Sequence, residues 1–265
     1  KNYITMSYTK RNDEIDYRIY GEEMQFVEIE LDPEETAIAE SGSMLMMEDG
    51  ISMQTIFGDG NQQQTGLLGK LMSAGKRVIT GESLFMTAFT NMGQGKRKVS
   101  FAAPYSGKII PLGGKIIAQK DAFLCAAKGV TVGIHLQRRL GTGIFGGEGF
   151  IMQKLEGDGR AFMHAGGYVF AKTLSPGEVI KVDTGCVVAY TPSIDFDIEF
   201  VRGIKNFMFG GEGLFFARLQ GPGTVWLQSL PISRLAGRIL AYGTYKRKEE
   251  GGILGGLGNL LDGRE

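Results

Sequence analysis

Apolar and polar side chains alternate along much of this chain with a period of two. Ile194, Phe196, Ile198 and Phe200 alternate with Asp195, Asp197 and Glu199, and Val27, Ile29 and Leu31 alternate with Glu28 and Glu30. Alternation of this kind marks strands with one face on a core and one in water. The stretches LEGDGRAFM and LQGPGTVWL each place glycines between two apolar runs, the arrangement of a β-hairpin. Gly157, Gly159, Gly221 and Gly223 are therefore expected in hairpin turns. Pro33 and Pro176 stand where a fixed φ helps a tight turn. Helical spacing is nearly absent. Its two exceptions are Leu67, Leu68, Leu71 and Met72 in GLLGKLMSAGKR, and Ile253, Leu254, Leu257, Leu260 and Leu261 near the end.

The pattern also repeats. IFGGEGFIMQKLEGDG, at 144–159, returns as MFGGEGLFFARLQGPG, at 208–223. From Phe145 to Gly159, eight of fifteen positions are identical at an offset of 64. Chance would give about one match. A fainter third copy is ITGESLFMTAFTNMGQG, at 79–95, which keeps the Gly-Glu pair at Gly81 and Glu82. LDPEE at 31–35, LGGK at 112–115 and LSPGE at 174–178 occupy equivalent places. These observations predict an all-β chain of three repeated β-sandwich units of about 64 residues. The expected division is an N-terminal extension (1–16), unit 1 (17–106) with an inserted loop at 57–78, unit 2 (107–168), unit 3 (169–242) and a glycine-rich tail (243–265), together one compact domain.

YRIYGEEMQFVEIELDPEE, AESGSMLMMEDGISMQT, GLLGKL, TGESLFMTAF and FGGEG follow one another in an order that resembles an uncharacterised bacterial family. Its eukaryotic relatives are named for altered inheritance of mitochondria. The resemblance runs from about Tyr17 to Tyr242. It implies a fold similar to the tryptophan-RNA-binding attenuator, three units about a pseudo-threefold axis in one chain. It brings no catalytic residues with it.

Composition narrows the chemistry. Lys+Arg and Asp+Glu balance at 29 each, so the global basic field of a nucleic-acid protein is lacking. Gly contributes 41 residues spread over the whole chain, as short strands joined by many turns require. Cys125 and Cys186 are the two cysteines, too few for a disulfide framework, and point to a reducing, cytoplasmic setting. No apolar run reaches the ~18 residues of a membrane span.

Motifs for catalysis fail one after another. GTGIFG satisfies G-x-G-x-x-G but is followed by a strand and a turn rather than a helix. Gly75-Lys76 lacks the other P-loop residues, and no G-x-S-x-G is present. His135 and His164 stand outside metal-ligand spacing, so neither metal nor cofactor is expected. Glu82, Glu148 and Glu212 are the repeated polar positions. Two readings apply. Converging near an axis, they would bind a ligand or ion. Locally, each would accept bonds from its own glycine turn, which Gly147 and Gly211 help to form. The local reading carries more weight. The basic run Lys96-Arg97-Lys98 follows a turn, where solvated charge is ordinary.

Two functions compete. The first is a non-catalytic binding or scaffolding protein. Its contacts, with itself, another protein or a peripheral membrane surface, would come from Leu67, Leu68 and Leu71 and from Ile253, Leu254, Leu257, Leu260 and Leu261. The second is a small-ligand receptor or enzyme with a groove between units, lined by Tyr105, Tyr168 or Trp226. RNA binding is a further alternative, disfavoured by the neutral charge. The first is preferred because no nucleophile can be matched with a base.

Overall fold

The computed structural model describes residues 15–40, 42–57, 85–138, 149–201, 214–240 and 242. The described chain is all-β, in several antiparallel sheets. The strands are β1 (Asp16–Tyr20), β2 (Phe26–Leu31), β3 (Thr36–Glu40), β4 (Met44–Met47), β5 (Ile51–Phe57), β6 (Phe85–Asn91) and β7 (Arg97–Ala102). They continue with β8 (Gly107–Gly113), β9 (Ile116–Gln119), β10 (Phe123–Ala127), β11 (Thr131–Arg138), β12 (Phe150–Glu156) and β13 (Arg160–Gly166). The last are β14 (Val169–Leu174), β15 (Val179–Asp183), β16 (Val187–Tyr190), β17 (Asp195–Val201), β18 (Leu214–Gln220) and β19 (Gly223–Gln228). A helix over residues 232–240 follows Pro231; the apolar spacing of the sequence did not reveal it.

Four sheets result, ordered β1-β2-β7-β4, β5-β6-β3-β10-β13-β8, β11-β12-β9-β16-β19-β14 and β15-β18-β17. They are called sheets 1 to 4 in that order. Three buried clusters lie between successive sheets. Val27, Ile29, Val99 and Phe101 of sheet 1 meet Ala37, Phe89 and Phe162 of sheet 2. Ile38, Phe123 and Met163 of sheet 2 meet Ala118, Leu155 and Ala189 of sheet 3. Phe150, Met152 and Tyr190 of sheet 3 meet Ala217 and Leu219 of sheet 4. Sheets 2 and 3 are thus covered on both faces, and their central strands β10 (FLCAA) and β16 (VVAY) are buried at every position. A strand covered on both faces loses the alternation and reads as a continuous apolar run.

The glycine turns differ from the hairpins expected of them. β12 pairs with β11 and β9, whereas β13 pairs with β10 and β8. The turn at Gly157 and Gly159 therefore carries the chain from sheet 3 to sheet 2. In the same way, the turn at Gly221 and Gly223 carries it from sheet 4 to sheet 3. Packed sheets lie ~10 Å apart, and two apolar runs flanking such a crossing both face one core. The sequence pattern is thus shared by a hairpin and by a sandwich crossing. The ladders that do join consecutive strands are β1–β2, β5–β6, β11–β12 and β17–β18.

Candidate functional site

Glu82, Glu148 and Glu212 lie outside the described residues, as do Gly147, Gly211, Leu67, Leu68, Leu71, Ile253, Leu254, Leu257, Leu260 and Leu261. Of the turn glycines, Gly157 and Gly223 have positive φ, at 157° and 151°. A Cβ on Gly223 would stand 2.5 Å from the Thr191 Oγ1 and 2.7 Å from the Ser193 Oγ.

The described structure draws attention to other residues. Ser100 on β7, His164 on β13 and Gln228 on β19 are all buried polar groups, separated by 64 residues each. Carrying the repeat offset past Gly159 into the following strand would have found them. Gln228 is engaged at both amide atoms: its Oε1 accepts from the Gly166 N–H at 2.8 Å, and its Nε2 donates to the Gly185 carbonyl at 2.8 Å. It ties β19 to the end of β13. Among the described residues, neither ring nitrogen of His164 has a well-formed hydrogen bond, nor has the Ser100 hydroxyl. Burial pushes the His164 imidazole down to about 4, with the Tyr105 backbone opposing weakly. The Tyr105 ring stands edge-on to it, centroids 4.4 Å apart. Burial also pushes the Tyr105 phenol up to about 12.

Near Gln228, Arg234 of the helix donates to the Ser229 carbonyl, to the Asp183 Oδ2 at 3.3 Å and to the Cys186 Sγ at 3.6 Å. Burial, then the Asp183 carboxylate, raises the Cys186 thiol, against a lowering by Arg234. Burial alone raises Cys125 well above its ordinary value. These thiols stay protonated near neutrality and are poor nucleophiles. No group of three or more His, Cys, Asp and Glu converges among the described residues. His135 is exposed on β11, Tyr168 is exposed, and Trp226 packs against the central core.

The basic run is paired with the acidic face of β2. The Lys96 Nζ lies 2.7 Å from the Glu30 Oε1 and 3.4 Å from the Asp16 Oδ2, and the Lys98 Nζ lies 2.9 Å from the Glu28 Oε1. The hydrogen bonds to Glu30 and to Glu28 raise the two lysines.

Strand β4 exposes four apolar residues in a row. Its four residues, Met44, Leu45, Met46 and Met47, are 37%, 51%, 49% and 40% exposed. β4 pairs with β7 on one side and with no described strand on the other. β15 likewise pairs with β18 alone among the described residues, and its Val179 is 41% exposed. No helix of the described residues is long and apolar enough to cross a membrane.

A protein of Streptococcus pyogenes serotype M6, described as uncharacterized, is 30% identical over 224 residues, covering 83% of this chain and 88% of its own. The X-ray crystal structure of a Streptococcus pyogenes protein superposes with a TM-score of 0.67 at 24% identity, covering 86% of this chain and all of that one. It supports the fold alone. Residues 17–230 match the family described as Mitochondrial biogenesis AIM24. By that span and by the relative's identity, the chain belongs to the Mitochondrial biogenesis AIM24 family.

Proposed function

We propose that this chain is a non-catalytic scaffolding protein that acts by self-association. We further propose that it is built from three copies of one two-layered unit in an attenuator-like arrangement, over 17–106, 107–168 and 169–242. What supports the three copies is the recurrence of two ladders. The orders β5-β6-β3, β11-β12-β9 and β17-β18-β15 join corresponding strands in the same way. So do β2-β7-β4, β8-β13-β10 and β14-β19-β16. A cytoplasmic setting is supported by the free thiols of Cys125 and Cys186.

The observation that carries the function is β4, an all-apolar strand open along one edge among the described residues and exposed at every residue. An exposed apolar edge strand is a template for pairing, and proteins that must stay apart protect such edges with charge or proline. Met44–Met47 carries neither. Sedimentation velocity of the full chain between about 1 and 100 μM is expected to show association that grows with concentration. Leu45→Glu should shift the chain towards monomer while leaving its circular dichroism intact. A chain that is monomeric throughout that range would sink the proposal.

A further inference from the structure

We infer that β15 of one copy adds to β4 of a second copy, continuing sheet 4 of the first into sheet 1 of the second. This rests on the self-association proposed above and names its contact. The chain itself contains two junctions of the required kind. β3 pairs antiparallel with β10, Ala39 opposite Cys125 and Ile38 opposite Ala126. β9 pairs antiparallel with β16, Ala118 opposite Ala189 and Ile117 opposite Tyr190. A third junction of this kind would join β15 to β4, and both of those edges are open among the described residues.

The register follows from shared irregularities. β10, β16 and β4 each carry one bulge against their return strand, between Phe123 and Cys125, between Val187 and Ala189, and between Met44 and Met46. Superposing the bulges sets Met46 with Cys125 and Ala189, and Met47 with Ala126 and Tyr190. β15 corresponds to β9 at an offset of 64, which sets Val182 with Ala118 and Lys181 with Ile117. The new ladder therefore places Val182 of one copy opposite Met46 of the other, and Lys181 opposite Met47.

Core packing points the same way. At the first internal junction, Leu124 and Cys125 turn away from their own sandwich and complete the core between sheets 1 and 2. At the second, Val188 and Ala189 complete the core between sheets 2 and 3. The residues at the matching places on β4 are Leu45 and Met46, the two most exposed of that strand, at 51% and 49%. Among the described residues, the core that lacks such a plug is the one between sheets 3 and 4. It is also the least sealed, with Ile180, Val182, Phe196, Ile198 and Phe215 only partly buried against it. A second copy seated by its β4 would supply Leu45 and Met46 to that core. Main-chain pairing along a strand edge, with side chains filling alternate pockets, is a known mode of association. Because the two edges differ, the contact is head-to-tail.

Directed disulfides test this. Opposite residues of an antiparallel pair lie close enough to be bridged. In a Cys186→Ala background, a Met46→Cys chain is mixed with a Val182→Cys chain and oxidised mildly. A disulfide-linked heterodimer on a non-reducing gel is expected, with neither single variant cross-linking alone to the same extent. A double variant that yields only a faster-migrating monomer would show β15 covering β4 of its own chain and would overturn the inference. Oligomers in sedimentation with no 46–182 link would overturn it while leaving self-association standing; a monomer throughout would remove both. Hydrogen exchange on the unaltered chain guards against misfolded variants. Amides of 44–47 and 179–183 should gain protection as concentration rises, and protection already complete at the lowest concentration would count against a second copy.

Discussion

His164 makes stability depend on pH in a definite direction. Its imidazole titrates near 4 in the folded chain against an ordinary 6.5. Between those values the unfolded chain binds a proton that the folded chain refuses. The contribution is therefore fully present above pH 6.5 and is lost as pH falls towards 4, to the extent of about 3 kcal/mol. Denaturant midpoints measured at pH 7 and pH 5 should show the loss in the natural chain and a smaller one in His164→Gln. Equal losses in both would show that the imidazole is not the responsible group. Gln228 makes the complementary case, a buried polar side chain whose partners depend on it. Gln228→Leu leaves the Gly166 N–H and the Gly185 carbonyl without their partner, and should cost about 2–4 kcal/mol in denaturant unfolding. Gly166 is fixed by space rather than by φ: a Cβ there would land on the Leu230 carbonyl oxygen and 2.6 Å from the Tyr105 ring. Gly166→Ala is expected to destabilise by about 1–3 kcal/mol, because backbone cannot step aside as a flexible side chain can. An unchanged melting temperature would show that the β13 end has room to shift.

At the scale of elements, the alternating strands were plain in the sequence because each has one wet face. β2 buries Val27, Ile29 and Leu31 and leaves Glu28 and Glu30 to meet Lys98 and Lys96, as the alternation foretold. Strands covered on both sides were harder to place. FLCAA, VVAY and MLMM are equally apolar, yet the first two are buried and the third is exposed. Nothing in four apolar residues records whether a neighbouring strand is present. The glycine crossings were misread for a related reason, since local turn chemistry does not state which sheet the next strand joins. The buried row Ser100, His164 and Gln228 was legible from the offset of 64, but only by following polar positions through an apolar strand. The repeated glutamates, prominent in the sequence, lie outside the described residues and so stay with the sequence reading.

At the scale of the whole molecule, the layers do not divide where the chain does. Sheet 2 draws β3, β5 and β6 from the first part of the chain and β8, β10 and β13 from the middle, and sheet 3 joins the middle to the last part in the same manner. Each of these sheets is a wall common to two cores. Opening the core between sheets 1 and 2 therefore strips one face of a wall that the next core also needs. Loss of order should pass from one sandwich to the next rather than stop at a boundary. Scanning calorimetry should then give a single heat-absorption peak whose calorimetric and van't Hoff enthalpies agree, not three resolved peaks. The same coupling makes the molecule intolerant of being shortened by whole units, since a fragment ending after the middle part would lose three strands of sheet 3 and bare the outer face of the other three. A chain built this way gains or loses its structure as one piece, and its length is part of what makes it fold.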